Sequence, residues 1–160
     1  MGARTRLRAS VRRAIFSLNV YLLDTTVVSE MKRISAGYGN AQVAHWLGQV
    51  EDSAVYLSAI TVVDLELGCL LMERQAAAQG IILRQWLSGF LARYQDRIIA
   101  IDGEVARRAA VLQALRPRAC SEALTAATAI THRYALVTRN TTNFLMDGLQ
   151  VINPWIVGNV

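Results

Sequence analysis

The stretch "VYLLDTTVVSEMKR", Val20 to Arg33, decides how the rest of the chain is read. Its opening residues are apolar and suit a buried strand. They run into one aspartate, Asp24, and then two threonines, Thr25 and Thr26, before a short amphipathic segment. A carboxylate at the end of an apolar strand sits where water is being excluded, which is costly unless something offsets its charge. The question is which other residues the fold brings to Asp24.

Working outward, strand-like and helix-like segments alternate. "NAQVAHWLGQV" carries Val43, Trp46, Leu47 and Val50 at helical spacing, and "AVYLSAI" reads as a second strand. Thr61 reads as an N-cap with Asp64 three residues on, opening a helix through "LELGCLLMERQAAAQ". "IILRQWLSGFLARYQ" is a further helix, "RIIAI" a short strand, "GEVARRAAVLQAL" a helix and "SEALTAATAITHRY" an Ala-rich helix. "ALVT" and "LQVI" read as the last two strands. Strands separated by helices imply βαβ units and an α/β fold with a mostly parallel sheet of about five strands.

The 160 residues amount to about one domain, and with 53% hydrophobic residues the chain is able to form a core. No apolar run reaches the ~18 residues of a membrane span, so no membrane role is expected of the domain. The formal charge is +5, yet Arg4, Arg6, Arg8, Arg12 and Arg13 stand in the first 19 residues without an acid. From Val20 onward, 12 basic residues balance 12 acidic ones, so the high isoelectric point belongs to the arm. Residues 1–19 are a basic extension that suits RNA, a partner, a membrane surface or an organelle transit peptide, or is a flexible, disordered extension, or reflects a start site called too early with translation beginning near Val20. Cys69 and Cys120 form no CxxC pair and are expected to be buried and reduced, which fits a cytoplasmic protein.

In open α/β sheets, sites form beyond the carboxyl ends of the strands. The polar residues expected there are Asp24, Ser58, Asp64 in the first turn of its helix, Glu122 in the first turn of the Ala-rich helix, and Thr138, Arg139, Asn140 and Asn143 after "ALVT". Converging carboxylates repel and need a compensating cation. Oxygen ligands select Mg²⁺ or Mn²⁺, and such an ion suits phosphoryl chemistry with water. Taken singly, Asp64 also reads as a capping residue and Glu122 as a charge favoured at a helix N-terminus. An aspartyl-phosphate route is disfavoured because Thr26, not an acid, stands two residues after Asp24, and no Gly-rich phosphate loop or GxSxG elbow occurs. His45 and His132 have no evident partners, and Trp46, Trp86 and Trp155 read as core or interface residues.

Four pieces in order resemble the PIN domain, and within it the VapC-type toxins of bacterial toxin–antitoxin pairs. They are "LLDTTVVSE", "LSAITVVDLELG", "SEALTAATA" and "LVTRNTTNF", followed by "VINPW". The resemblance covers about Val20 to Trp155 and defines a PIN-like domain over residues 20–157. It implies a three-layer α/β/α fold and a Mg²⁺- or Mn²⁺-dependent endoribonuclease in which a metal-activated water attacks the phosphodiester. It also implies restraint by a VapB-type antitoxin, and a homodimer. By the same resemblance, Asp24 and Glu122 are the main metal ligands and Asp64 completes the acidic site. Thr25, Thr138, Arg139 and Asn143 line it, with Asn143 counted among the catalytic set. The family commonly has asparagine after the first "DT" where this chain has threonine, glutamate where it has Asp64, aspartate where it has Glu122, and an acid where it has Asn143. The lost charge at Asn143 implies weaker metal binding, since hard cations favour carboxylate over amide oxygen. A module that binds RNA or a partner without cleavage is the alternative.

Overall fold

The computed structural model describes residues 20–156; the basic arm, residues 1–19, lies outside them. Five strands form one sheet in the order β3-β2-β1-β4-β5. They are β1 (Tyr21–Leu23), β2 (Val55–Ser58), β3 (Ile98–Ile99), β4 (Ala135–Val137) and β5 (Val151–Ile152). Every recorded pairing is parallel, with Leu23 level with Leu57 on one side and Val137 on the other. The helices are α1 (Thr25–Ser35), α2 (Ala41–Gln49), α3 (Ala59–Gln75), α4 (Ala77–Tyr94), α5 (Gly103–Leu115) and α6 (Cys120–His132).

The pleat sorts the strand residues into two faces. Tyr21, Leu23, Val55, Leu57, Ala135 and Val137 pack with Val27 and Val28 of α1, Trp46 of α2, and Phe90 and Tyr94 of α4. Leu22 and Leu136 point the other way, onto Ala126 and Ala129 of α6. Small residues let α6 lie close to the sheet, and its Ala123 and Ala127 pack on Val105 and Ala109 of α5. The result is the three-layer α/β/α architecture. Its two covered faces explain why β1 reads as a continuous apolar run rather than an alternating one.

β1 lies at the centre, and the chain winds outward through β2 and β3 before returning to the other side as β4 and β5. The winding reverses between β1 and β4, so a crevice opens beyond their carboxyl ends.

Several boundaries differ from the sequence reading. Ser58, not Thr61, caps α3, since its side chain accepts from the Thr61 N–H. The helix therefore begins at Ala59, and Asp64 falls in its second turn. The expected helix through residue 79 ends at Gln75, and Ala77 already belongs to α4. The reversal at Ala76 brings Gly80 against Glu73: a Cβ on Gly80 would lie 2.5 Å from the Glu73 Cα. The alanine run around this turn holds no breaker that reveals it. Arg84 then ties the hairpin, donating to Glu66 at 2.6 Å and Glu73 at 2.9 Å. Cys69 is buried as expected, but Cys120 is exposed at the start of α6. Trp46 meets Tyr21 edge-on and Trp86 stacks on Phe90, both within the core. No described helix is long and apolar enough to cross a membrane.

Candidate active site at the carboxyl end of the sheet

Asp24 follows β1 and is the N-cap of α1, its carbonyl accepting from the Val27 and Val28 N–H groups at 3.0 and 3.3 Å. A capping aspartate normally spends its carboxylate on the first helical N–H groups. Here the carboxylate makes no capping bond. Its Oδ2 instead accepts from the Thr138 hydroxyl at 2.7 Å and the Thr26 hydroxyl at 3.1 Å. The half-buried charge is thus offset by two hydroxyl dipoles and by the N-terminal end of α1.

Thr138 follows β4 and is fully buried. Its N–H donates to Ile152 and its hydroxyl accepts from the Asn140 N–H at 3.0 Å. The sheet therefore fixes the group that fixes Asp24. Thr26, whose hydroxyl stands where an aspartyl-phosphate route would need an acid, also accepts from the Arg139 N–H at 3.3 Å. Its place two residues after Asp24 was the available signal.

Asp64 reaches the same region from α3. Thr61, one turn earlier, is buried and donates to the Leu23 carbonyl at 3.2 Å, pinning α3 to the end of β1. Residues three apart share a helix face, and Thr25 of α1 donates to Asp64 Oδ2 at 3.1 Å. Asp24, Thr26, Thr138 and the Arg139 backbone are thus one hydrogen-bonded set, and the Thr25–Asp64 pair adjoins it through the peptide link from Asp24 to Thr25. The Arg139 side chain is exposed, with its guanidinium 5.6 Å from the centre of the Trp155 ring.

Glu122 and Asn143 form a second set. Glu122 lies in the first turn of α6, and the Asn143 amide donates to its Oε1 at 2.5 Å. Asn143 sits on a short 3₁₀ turn, Thr141–Phe144, anchored by the buried Phe144. Arg118, which no sequence signal marked, donates to the Asn143 carbonyl at 3.4 Å. Ser58 is fully buried and bonded to Thr61 rather than lining the rim. Among the described residues, no three His, Cys, Asp or Glu side chains gather closely enough to hold a metal ion.

The donor chemistry nevertheless suits a hard cation. Asp24 and Asp64 are engaged only through Oδ2 and Glu122 only through Oε1, which leaves one carboxylate oxygen on each without a partner among the described residues. Carboxylate oxygens are the ligands that Mg²⁺ and Mn²⁺ prefer. His45 and His132 take no part: His45 is exposed beside Gln49, and His132 packs near Tyr134.

A three-layer domain with a parallel five-strand sheet and a polar rim at its switch point is a PIN-like fold. No family model matches the sequence. Individual relatives do. The chain is 32% identical to Toxin FitB of Neisseria gonorrhoeae over 139 residues, covering 84% of this chain and 97% of that protein. It is 31% identical over 140 residues to VapC ribonuclease Y4jK of Sinorhizobium fredii, covering 84% of this chain and 96% of that protein. The crystal structure of FitAcB from Neisseria gonorrhoeae superposes with a TM-score of 0.76 at 33% identity, covering 85% of this chain and 99% of that one. The chain belongs to the VapC-type toxin family of PIN-like proteins.

Proposed function

We propose that this protein is a Mg²⁺- or Mn²⁺-dependent endoribonuclease, the toxin of a VapBC-type toxin–antitoxin pair. One observation carries the reading: the Asp24 carboxylate is withheld from capping α1 and is held by Thr138 and Thr26 at the switch point of the sheet. Asp24, Glu122 and Asp64 would hold the cation through their unengaged oxygens, the ion drawing together carboxylates that do not by themselves gather closely enough to hold it. When bound, a divalent cation lowers the pKa of water and offsets charge on the phosphate. The chain's own residues orient that set. Thr138 and Thr26 aim Asp24, Thr25 aims Asp64, and Asn143 aims Glu122. Arg139, at the rim beside Trp155, offers positive charge to the RNA backbone.

Family membership supports a VapB-type antitoxin and a second copy of the chain as partners. The exposed Val63, Leu67 and Leu70 of α3 and Ile81 and Ile82 of α4 supply apolar surface for such association.

A second reading, RNA binding without cleavage, draws on the amide of Asn143. It donates to Glu122, so the carboxylate is partly satisfied with no cation. Purified full-length protein incubated with labelled RNA in Mg²⁺, Mn²⁺ or excess EDTA separates the two. The nuclease reading expects cleavage in either metal and none in EDTA. RNA retention without cleavage in any condition would establish the second reading, and full cleavage in EDTA would contradict the metal.

A further inference from the structure

Arg118 lies in the segment that leads into α6, one residue before its N-cap. Its Nε donates to the Arg116 carbonyl at 3.3 Å. Its Nη1 donates to the Asn143 carbonyl at 3.4 Å and approaches the Met146 sulfur at 3.8 Å. All three acceptors are neutral. Among the described residues no carboxylate pairs with Arg118, not even Glu122 four residues on, and its Nη2 makes no hydrogen bond.

That arrangement differs from the arginines that staple the fold. Arg84, Arg93, Arg97 and Arg108 each form an ion pair with an acid. Arg118 is also half-buried, whereas its neighbour Arg116 is exposed. Removing a guanidinium from water without an anion costs free energy, while Arg118 is held by two edges and left open on a third. The guanidinium fork suits the bidentate geometry of a phosphate. It stands on the carbonyl of Asn143, the residue whose amide holds Glu122.

We propose that Arg118 binds a backbone phosphate of RNA on the Glu122 side of the site. The described domain carries no net positive charge from Val20 onward, so affinity for a polyanion depends on cations free of acidic partners. The choice of RNA rests on the nuclease reading above.

The test measures binding of full-length protein to a labelled single-stranded RNA by fluorescence anisotropy in EDTA, across a range of salt concentrations. Cleavage by the same samples in Mn²⁺ is followed in parallel. Arg118→Gln is expected to weaken binding about fivefold to tenfold. It should reduce the slope of log affinity against log salt by about 0.7, the release expected for one phosphate on a single strand. Cleavage at saturating RNA should change less than binding does. Arg118→Lys, which keeps the charge, should keep the slope. Unchanged affinity in Arg118→Gln overturns the proposal, as does weaker binding with an unchanged slope, because a purely structural strut releases no counterion. Should Arg118→Gln fail to fold, a lowered slope in folded Arg118→Lys overturns it. Wild-type protein that binds RNA but does not cut it would refute the nuclease reading and leave the Arg118 contact standing. Wild-type protein that neither binds RNA in EDTA nor cuts it in Mn²⁺ would refute both, and cleavage without measurable binding in EDTA would overturn the Arg118 contact alone.

Discussion

Asp24 and Glu122 both bring a carboxylate to the rim, but the supports behind them differ. Asp24 stands between two central strands, and its chief partner, Thr138, is fully buried and bonded to β5 through its own backbone. Asp64 joins it through Thr25, on a helix that buried Thr61 fastens to β1. Glu122 has a single side-chain partner, the exposed Asn143, on a four-residue 3₁₀ turn held by Phe144 and Arg118. One half of the site is fixed by the core of the sheet and the other by a surface turn. The departures that the resemblance implies fall in both halves, but the one that would change formal charge, Asn143, falls in the weaker.

This contrast predicts unequal responses to removing one partner from each half. The larger effect is expected from Thr138→Val, which is nearly isosteric but takes the 2.7 Å donor from Asp24 and the acceptor from the Asn140 N–H. Stability should fall by about 1–2 kcal/mol in chemical denaturation. RNA cleavage should fall by about 10- to 100-fold, the usual penalty for losing a group that orients a metal ligand. Asn143→Ala should leave stability within about 0.5 kcal/mol and lower cleavage only several-fold. If the two variants lose cleavage equally, the distinction between a rigid and an adjustable half is wrong.

Asn143→Asp probes the weaker half from the other side. It replaces the amide that donates to Glu122 with a second carboxylate, so the pair at neutral pH gains a charge that a cation offsets. Mn²⁺ binding followed by calorimetry should tighten. Affinity equal to wild type would mean that the surface turn contributes nothing to cation binding.

The smallest effect belongs to neither half and sets a baseline for pH. Burial opposes the charge of Asp52, but the guanidinium groups of Arg97 and Arg93 outweigh it and hold the carboxyl below its ordinary value of 3.8. A carboxyl lowered in the folded state contributes stability above its unfolded value and loses it as pH falls through the folded one. Thermal denaturation should therefore show a small loss below about pH 4, attenuated because the pair is partly exposed. Asp52→Asn should flatten that loss while leaving cleavage near neutral pH unchanged.

The strand-and-helix alternation carried most of the fold, because βαβ units leave a period that survives in a single chain. What the sequence did not reveal is where elements touch. The α3–α4 turn fell inside an alanine-rich run with no breaker, and its position depends on Gly80 meeting Glu73. Thr61 has the chemistry of a cap, but Ser58 ends its strand three residues earlier and takes the role. In the site, Asp24 was legible because an acid ending an apolar run conflicts with its surroundings. The pairing of Thr25 with Asp64 and of Asn143 with Glu122 was not, since each joins residues 39 or 21 positions apart. Arg118 was invisible for the same reason: only the folded turn shows that it rests on Asn143.

The proposal that Asp24 is kept free of helix capping for metal-assisted RNA cleavage stands or falls on wild type and Asp24→Ala in a single-turnover cleavage assay with labelled RNA and saturating Mn²⁺. Asp24→Ala is expected to lose at least about a hundredfold, the scale of removing a group that stabilises transition-state charge, while still folded and still binding RNA. Cleavage by a folded Asp24→Ala protein at the wild-type rate would contradict it.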